Sequence, residues 1–351
     1  MINSLQSLRG IFAIMIFLHH FPYNGGGLFK AGGSCGVEFF LMLSGFVMCA
    51  GYEKRLLDNK FRYGDFILKR LIRVYPLHIL CLLGFVVIHV FALNEKLGLS
   101  LIPNILLLQS WFPLQSVYFS GNAVSWCLSD LMFFYAVFPF LVRWIYSNKI
   151  RIGYFVILLL IVYFVIVSII PAKRLHFGLY IFPLTRLIDF FIGILLWQYY
   201  KTINVGEFIT KISHLSFTVK TLIELLPIAI LSIMIIAYPD ISERYAYCSY
   251  WWFPMMAIIL VLTVFNKMGG GISLILNNKW LVMFGNVSFS FYMIHQLCIS
   301  LVLGAMNRLG ISVPVSVSLP ATLLLIIFVS FFVYRCYETP VVNYLLSKIR
   351  R

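Results

Sequence analysis

The sequence predicts an all-α protein, a polytopic transmembrane helical bundle, and three observations carry that prediction. Hydrophobic residues make up 62% of the 351 positions and charged residues 11%, where a soluble globular domain carries roughly a quarter charged. So few charges cannot cover the surface of a soluble fold of this size, and the mean hydropathy of +0.95 agrees. The apolar residues also fall in continuous runs, not in the roughly 10-residue alternating segments of outer-membrane barrels. In hydrocarbon such runs must satisfy their own backbone groups, so they read as helices. A cytosolic enzyme, a secreted domain and a disordered chain are excluded on the same grounds.

A helix crossing the hydrocarbon core needs about 20 largely apolar residues, or fewer where other helices bury it. Ten segments qualify: 7–21, 36–52, 74–93, 128–146, 153–170, 186–200, 222–238, 250–266, 281–304 and 317–337. The first lacks a small-residue cleavage site and carries Arg9, His19 and His20, so it is expected as a retained helix and not a signal peptide. Within the second, the Ser44–Gly45 pair allows close helix approach. Pro76 is expected to open the third, because proline is tolerated in a first helical turn. Leu101–Leu108 is too short to cross and is expected as a re-entrant or interfacial piece. With no linker, repeat or low-complexity stretch, residues 1–351 are expected to form a single integral-membrane domain without a fused soluble one.

The charge balance orients these segments. Lys and Arg number 27 against 12 Asp and Glu, a formal net of +15. A basic balance can mark a nucleic-acid partner, but short cytoplasmic membrane loops are basic by the positive-inside rule. With the N-terminus inside, twenty of the 27 fall on the cytoplasmic side, leaving Lys30, Lys96, Lys173, Arg174, Arg186, Arg244 and Arg308 outside. Both termini are therefore expected in the cytoplasm of an inner-membrane protein, with no nucleic acid among its partners. The seven cysteines show no C-x-x-C pair or metal spacing, so no metal site is expected; a Cys35–Cys248 disulfide at the outer loops stays open.

Ionisable groups inside spanning helices cost several kcal/mol by most scales, which makes each a candidate for function. Arg9 and His20 are eleven residues apart in the first helix. At 100° per residue that places both on one face, separated by roughly 16 Å along the axis, with His19 turned about 100° away. A snorkelling arginine and an interfacial histidine would account for the pair as well. The most basic stretch ends FILKRLIRVYP, where Arg70 and Arg73 sit at i and i+3. Two guanidinium forks on one side suit a phosphate ligand, since each can bind phosphate oxygens bidentately; positive-inside anchoring is the plainer account. Glu38 opens the second span, and Asp130 follows Trp126 in SWCLSDLMFFYAVFP. Arg186 and Asp189 stand at i and i+3, spaced for an internal ion pair. His295 lies in GNVSFSFYMIHQL beside Ser288 and Ser290, and Glu338 precedes Pro340 at the inner end of the last span.

Together these segments resemble the membrane-embedded acyltransferase family 3, whose members O-acylate cell-surface glycans. Arg9, ten intervening residues and His20 resemble its first-helix motif, GVEFFLMLSGF its second-helix signature, and Arg70, Arg73 and Pro76 its R-x-x-R-containing motif. PLTRLIDFFIG, GNVSFSFYMIH and YETP match later signatures through Arg186, Gly193, Ser288, Tyr292, His295, Glu338 and Pro340. One position departs. Trp126, Leu128, Phe134, Tyr135 and Pro139 match, but the family's Glu falls on Leu131, with Asp130 one residue early. The resemblance implies an acyl-CoA donor, acetyl-CoA first, on the cytoplasmic side and a carbohydrate hydroxyl as acceptor on the outer side. It implies no bound cofactor. Arg9, Arg70 and Arg73 are then expected to hold the donor, and His20 to act as general base or acyl carrier. Glu38, Trp126, Asp130, Arg186, His295 and Glu338 are expected to support the site or face the acceptor. The competing reading is a transporter or exporter of a glycan or small anion, which should show paired Gly/Pro-broken helices at the membrane midplane. No such symmetric pair is visible.

Overall fold

Helices make up nearly all the regular structure of the computed structural model, which describes residues 2–23, 26–58, 60–92, 98–147, 152–203, 210, 212–266 and 268–349. The first six long helices are α1 (Asn3–His20), α2 (Ala31–Leu57), α3 (Tyr63–Val87), α4 (Trp126–Ser147), α5 (Ile152–Ile169) and α6 (Pro183–Thr202). They are followed by α7 (Phe217–Ala237), α8 (Trp252–Phe265), α9 (Lys279–Arg308), α10 (Val315–Val333) and α11 (Thr339–Ile349). Each of the ten predicted segments overlaps one of α1–α10. By length and composition six helices among the described residues can cross a membrane, and a seventh if the pair Gly153–Ile169 and Ala172–Ile181, bent by 119°, counts as one span. Apolar side chains spaced one turn apart, such as Leu324, Phe328 and Phe332 on α10, are exposed. Such stripes suit a lipid solvent.

Two details correct the sequence reading. α3 starts at Tyr63, not at 74, so Arg70 and Arg73 stand on the helix itself and Pro76 lies inside it instead of opening it. The apolar run marks where the membrane begins, while the helix extends further through a polar turn in which Arg62 pairs with Asp65 at 3.4 Å. An internal proline has no N–H to donate to the carbonyl of Ile72 one turn earlier, a loss that transmembrane helices tolerate; the Tyr337 hydroxyl donates to the carbonyl of Pro76 itself at 3.1 Å. Of the residues used in the charge and span readings, Leu93, Lys96, Lys149, Arg151, Lys211, Lys267, Arg350 and Arg351 lie outside the described residues.

Leu101–Leu108 does not cross. It breaks into a short helical turn, Leu101–Ile105, and passes through Leu107 at φ 55°, a left-handed conformation uncommon for leucine. Buried polar groups hold this connection. Asn104 Nδ2 donates to the Ser120 carbonyl at 2.6 Å and to Ser125 Oγ at 3.1 Å, and Gln109 Nε2 donates to the same hydroxyl at 3.1 Å. From α3, His78 Nε2 donates to the Asn104 carbonyl at 3.0 Å and the Tyr75 hydroxyl to Ile105.

The chain divides into two compact units. The first comprises Met1–Phe12, Ser34–Phe61 and Ala136–Asn286, the second Ala13–Gly33, Arg62–Tyr135 and Val287–Arg351. In the first unit α2 and α6 approach through glycines on both sides. A Cβ at Gly45 would overlap the Phe190 carbonyl, and one at Gly193 the Met42 carbonyl, as the small Ser44–Gly45 pair led us to expect. Phe12 stacks on Phe39 with ring centroids 4.1 Å apart. On α7 the buried Glu224 accepts the amides of Ile272 and Ser273 at 3.0 and 3.2 Å, while Thr221 accepts that of Gly271 at 2.8 Å. Two side chains one turn apart thus satisfy three consecutive amides of the turn Gly271–Leu276. Glu224→Ala strands two of them, and a buried donor left unsatisfied costs about 1–3 kcal/mol. We expect a lower melting temperature for purified Glu224→Ala, largely restored by Glu224→Gln; unchanged melting of the alanine variant would contradict this role.

Candidate active site

Two histidines predicted from separate motifs meet in the second unit. His295 Nε2 lies 3.1 Å from His20 Nδ1, with ring centroids 5.1 Å apart. Each ring is also tied to its own helix: His20 Nδ1 to the Ile16 carbonyl at 3.0 Å, and His295 Nδ1 to the Tyr292 carbonyl at 2.7 Å. His295 is fully buried and His20 half-buried. His19 finds its hydrogen bond elsewhere, as its 100° offset predicts, although its ring meets that of His20 edge-on with centroids 5.1 Å apart. Its Nδ1 donates to the Lys30 carbonyl at 2.9 Å, and its ring fills the space a Cβ on Gly33 would need. Around His295, the Tyr292 hydroxyl donates to the Val124 carbonyl at 2.8 Å and Asn122 Nδ2 to the Met293 carbonyl at 2.7 Å. The connection ahead of α4 is thereby fastened to α9 beside the histidine pair.

Further along α9, Ser290 donates a short hydrogen bond to Glu338 Oε2, and Arg73 Nη1 pairs with Glu338 Oε1 at 3.2 Å. Glu338 ends the π-helical turn Tyr334–Glu338 between α10 and α11, a wide turn type often found at functional sites. The Arg73 side chain is 43% exposed and that of Glu338 1%, so the carboxylate anchors a guanidinium that still presents an open side. Arg70, one turn earlier, lies over the Phe66 and Tyr135 rings at 5.7 and 5.9 Å, within cation–π range. On α4, Asp130 is fully buried, Trp126 is buried, and Leu131 is half-buried. The acid of this stretch thus lies inside the protein at position 130, while position 131 carries a half-buried leucine.

The first unit holds the other predicted residues. Arg9, half-buried, donates to Gln6 at 3.5 Å, and α1 runs from it to His20 without a break. Glu38, Arg186 and Asp189 form a fully buried ion cluster. One guanidinium nitrogen, Nη2, lies 3.2 Å from Glu38 and 3.1 Å from Asp189, while Nη1 donates to the Tyr247 carbonyl at 3.0 Å. Trp252 Nε1 and the Cys248 thiol donate to the remaining Asp189 oxygen at 2.6 and 3.2 Å. The i,i+3 pair Arg186–Asp189 was legible in the sequence, whereas the cross-helix partner Glu38 was not. Cys35 and Cys248 are both free thiols, so the open disulfide is not formed. Ligand atoms of Glu38, Asp189 and Cys248 lie within 4.8 Å of one another, close enough for a metal ion. The Arg186 guanidinium already stands as the cation against both carboxylates, so the geometry reads as a structural ion cluster.

Sequence reasoning also missed the joining of Arg73 to Glu338, 265 positions apart, and the Glu53 cluster near the end of α2. There Lys201 Nζ, Gln198 Nε2 and Trp197 Nε1 all donate to one carboxylate. The available signal was the charge itself, since an acid inside an apolar helix requires a partner.

A family model described as an acyltransferase domain, that of acyltransferase family 3, matches residues 2–335. Acyltransferase MdmB of Streptomyces mycarofaciens is 32% identical over 126 residues, 34% of this chain and 31% of that protein. Protein 2 in the picA locus of Rhizobium radiobacter is 35% identical over 78 residues, 22% of this chain and 40% of that protein. The matches thus span less than half the length of either relative. No solved structure matches.

Proposed function

Because the chain belongs to acyltransferase family 3, we propose that it transfers an acyl group, acetyl first, from cytoplasmic acyl-CoA to a carbohydrate hydroxyl. The acceptor is a cell-surface or lipid-linked glycan at the outer side of the inner membrane. The observation that carries this reading is the His20–His295 contact at 3.1 Å, which sets a titratable pair at the C-terminal end of α1. In this reading all ten helices α1–α10 serve as spans, both termini are cytoplasmic, and the twenty cytoplasmic Lys and Arg follow the positive-inside rule.

Arg70 and the open side of Arg73 bind donor phosphates by charge-assisted hydrogen bonds. Arg9, roughly 16 Å from His20 along α1, guides the pantetheine arm or the thioester. Along α9, Ser290 and His295 are separated by about 7.5 Å of rise; with the termini cytoplasmic as proposed, the arginine end of the second unit lies inward of the histidine end. His20 takes the proton of the acceptor hydroxyl while its oxygen attacks the thioester carbonyl. As the tetrahedral intermediate collapses, the carbon–sulfur bond breaks and the departing thiolate receives that proton. An acyl-His20 intermediate is the other route open to the same ring, and trapping of labelled protein on rapid quenching separates the two.

The test is transfer of a radiolabelled acetyl group from acetyl-CoA to membrane glycan, comparing wild type with His20→Ala and Arg73→Ala. Hydrogen bonds to charged groups are worth about 1.5–3 kcal/mol, so Arg73→Ala should raise the donor KM roughly 10–100-fold with a smaller effect on kcat. Full transfer by both variants at normal expression would overturn the site. The exporter reading draws on the bent pair that α5 forms with Ala172–Ile181; among the described residues it has no symmetric counterpart, and transport without a covalent product would favour that reading.

A further inference from the structure

We infer that His295 is a positioning residue for this reaction, holding His20 in the one neutral form whose Nε2 can accept a proton. The inference rests on the reading of His20 as the base, and the hydrogen bonds carry it. A backbone carbonyl can only accept, so the 2.7 Å contact between His295 Nδ1 and the Tyr292 carbonyl places the proton of His295 on Nδ1. Its Nε2 is then a bare lone pair, and it points at His20 Nδ1 from 3.1 Å. His20 Nδ1 also faces a carbonyl, that of Ile16, at 3.0 Å. Both neighbours accept, so His20 Nδ1 carries the hydrogen and Nε2 is left unprotonated.

A neutral imidazole has one donor and one acceptor nitrogen, and the partner of one decides the role of the other. The alternative tautomer would leave the single lone pair of His20 Nδ1 facing two acceptors, His295 Nε2 at 3.1 Å and the Ile16 carbonyl at 3.0 Å. During proton transfer His20 becomes a cation, and the Nε2 lone pair of His295 then faces a stronger donor. A base oriented by a third group is the general form of such sites. His295 is fully buried and held on α9 beside Tyr292, whose hydroxyl is itself fastened to Val124. Its ring therefore has little freedom to abandon this geometry.

The experiment uses the full chain purified in detergent, with acetyl-CoA as donor and thiol release as the readout. Three variants are compared: His295→Gln, whose amide oxygen reaches the Nε2 position, His295→Asn, which reaches only that of Nδ1, and His20→Ala. We expect His295→Asn to lower kcat roughly 10–100-fold, part of the 10²–10⁴-fold that a positioned base supplies, with donor KM and melting temperature close to wild type. His295→Gln should recover most of the loss. A merely packing histidine would instead give two variants with equal melting losses and unaltered kcat. The proposal is overturned if His295→Asn keeps wild-type kcat, or if His295→Gln is as slow as His295→Asn. Full activity of His20→Ala would remove the base assignment and this inference with it. An inactive His20→Ala beside a fully active His295→Asn would overturn the role of His295 alone.

Discussion

Replacing His20 by alanine should reduce acyl transfer by about 10²–10⁴-fold, the range a positioned general base contributes, while leaving the protein in the membrane in normal amount. The side chain is half-buried at the end of α1; its side-chain hydrogen-bond partner His295 is already bonded to its own helix, and the His19 ring meets it only edge-on. Its removal leaves no buried charge behind, so the structural cost is small and the loss falls on kcat. Donor KM should stay within about twofold, because the phosphate contacts assigned to Arg70 and Arg73 do not involve His20. Steady-state kinetics with acetyl-CoA checks both statements. An unchanged kcat, or a rise in KM alone, would contradict the assignment.

The largest effect on stability is expected at Arg186. Its guanidinium holds two fully buried carboxylates, Glu38 and Asp189. Arg186→Met leaves both without their cation, and breaking a buried pair by removing one partner costs about 3–5 kcal/mol. Most of the protein should then fail to accumulate, or melt far below wild type in detergent. Neutralising the whole cluster is a different matter, since a buried ion group replaced as a set is often close to neutral. The triple variant Arg186→Met, Glu38→Gln, Asp189→Asn keeps the acceptor for Trp252 Nε1 and should recover most of the lost melting temperature. A triple variant no better than Arg186→Met would contradict the cluster's electrostatic role and point to the guanidinium's contact with the Tyr180 ring and its hydrogen bond to the Tyr247 carbonyl.

What the sequence made legible follows the reach of each signal. Apolar run length is local, so the ten segments fall on ten helices, and the eleven-residue Arg9–His20 spacing survives because α1 is continuous. The i,i+3 pair Arg186–Asp189 is equally local and forms as predicted. Hydropathy marks the membrane and not the helix, which is why α3 begins before its apolar run and carries Arg70, Arg73 and Pro76 within it. Contacts between distant helices leave no periodic trace. The pairs His20–His295, Arg73–Glu338 and Glu38–Arg186 all join residues that motif reading had singled out separately. The sequence identified the participants, and packing decided who meets whom. Glu224 is the opposite case, an acid in an apolar helix that no motif marked and whose partners are backbone amides.

In the proposed reaction the chain moves an acyl group and not a glycan. The most direct test is the purified chain in sealed vesicles, with acetyl-labelled CoA outside, on the face bearing the termini, and a glycan acceptor enclosed within. Label should become covalently attached to the enclosed glycan, be released by mild base as an ester, and be lost in His20→Ala. Passage of unmodified glycan across the bilayer, with all label remaining on CoA, would contradict it.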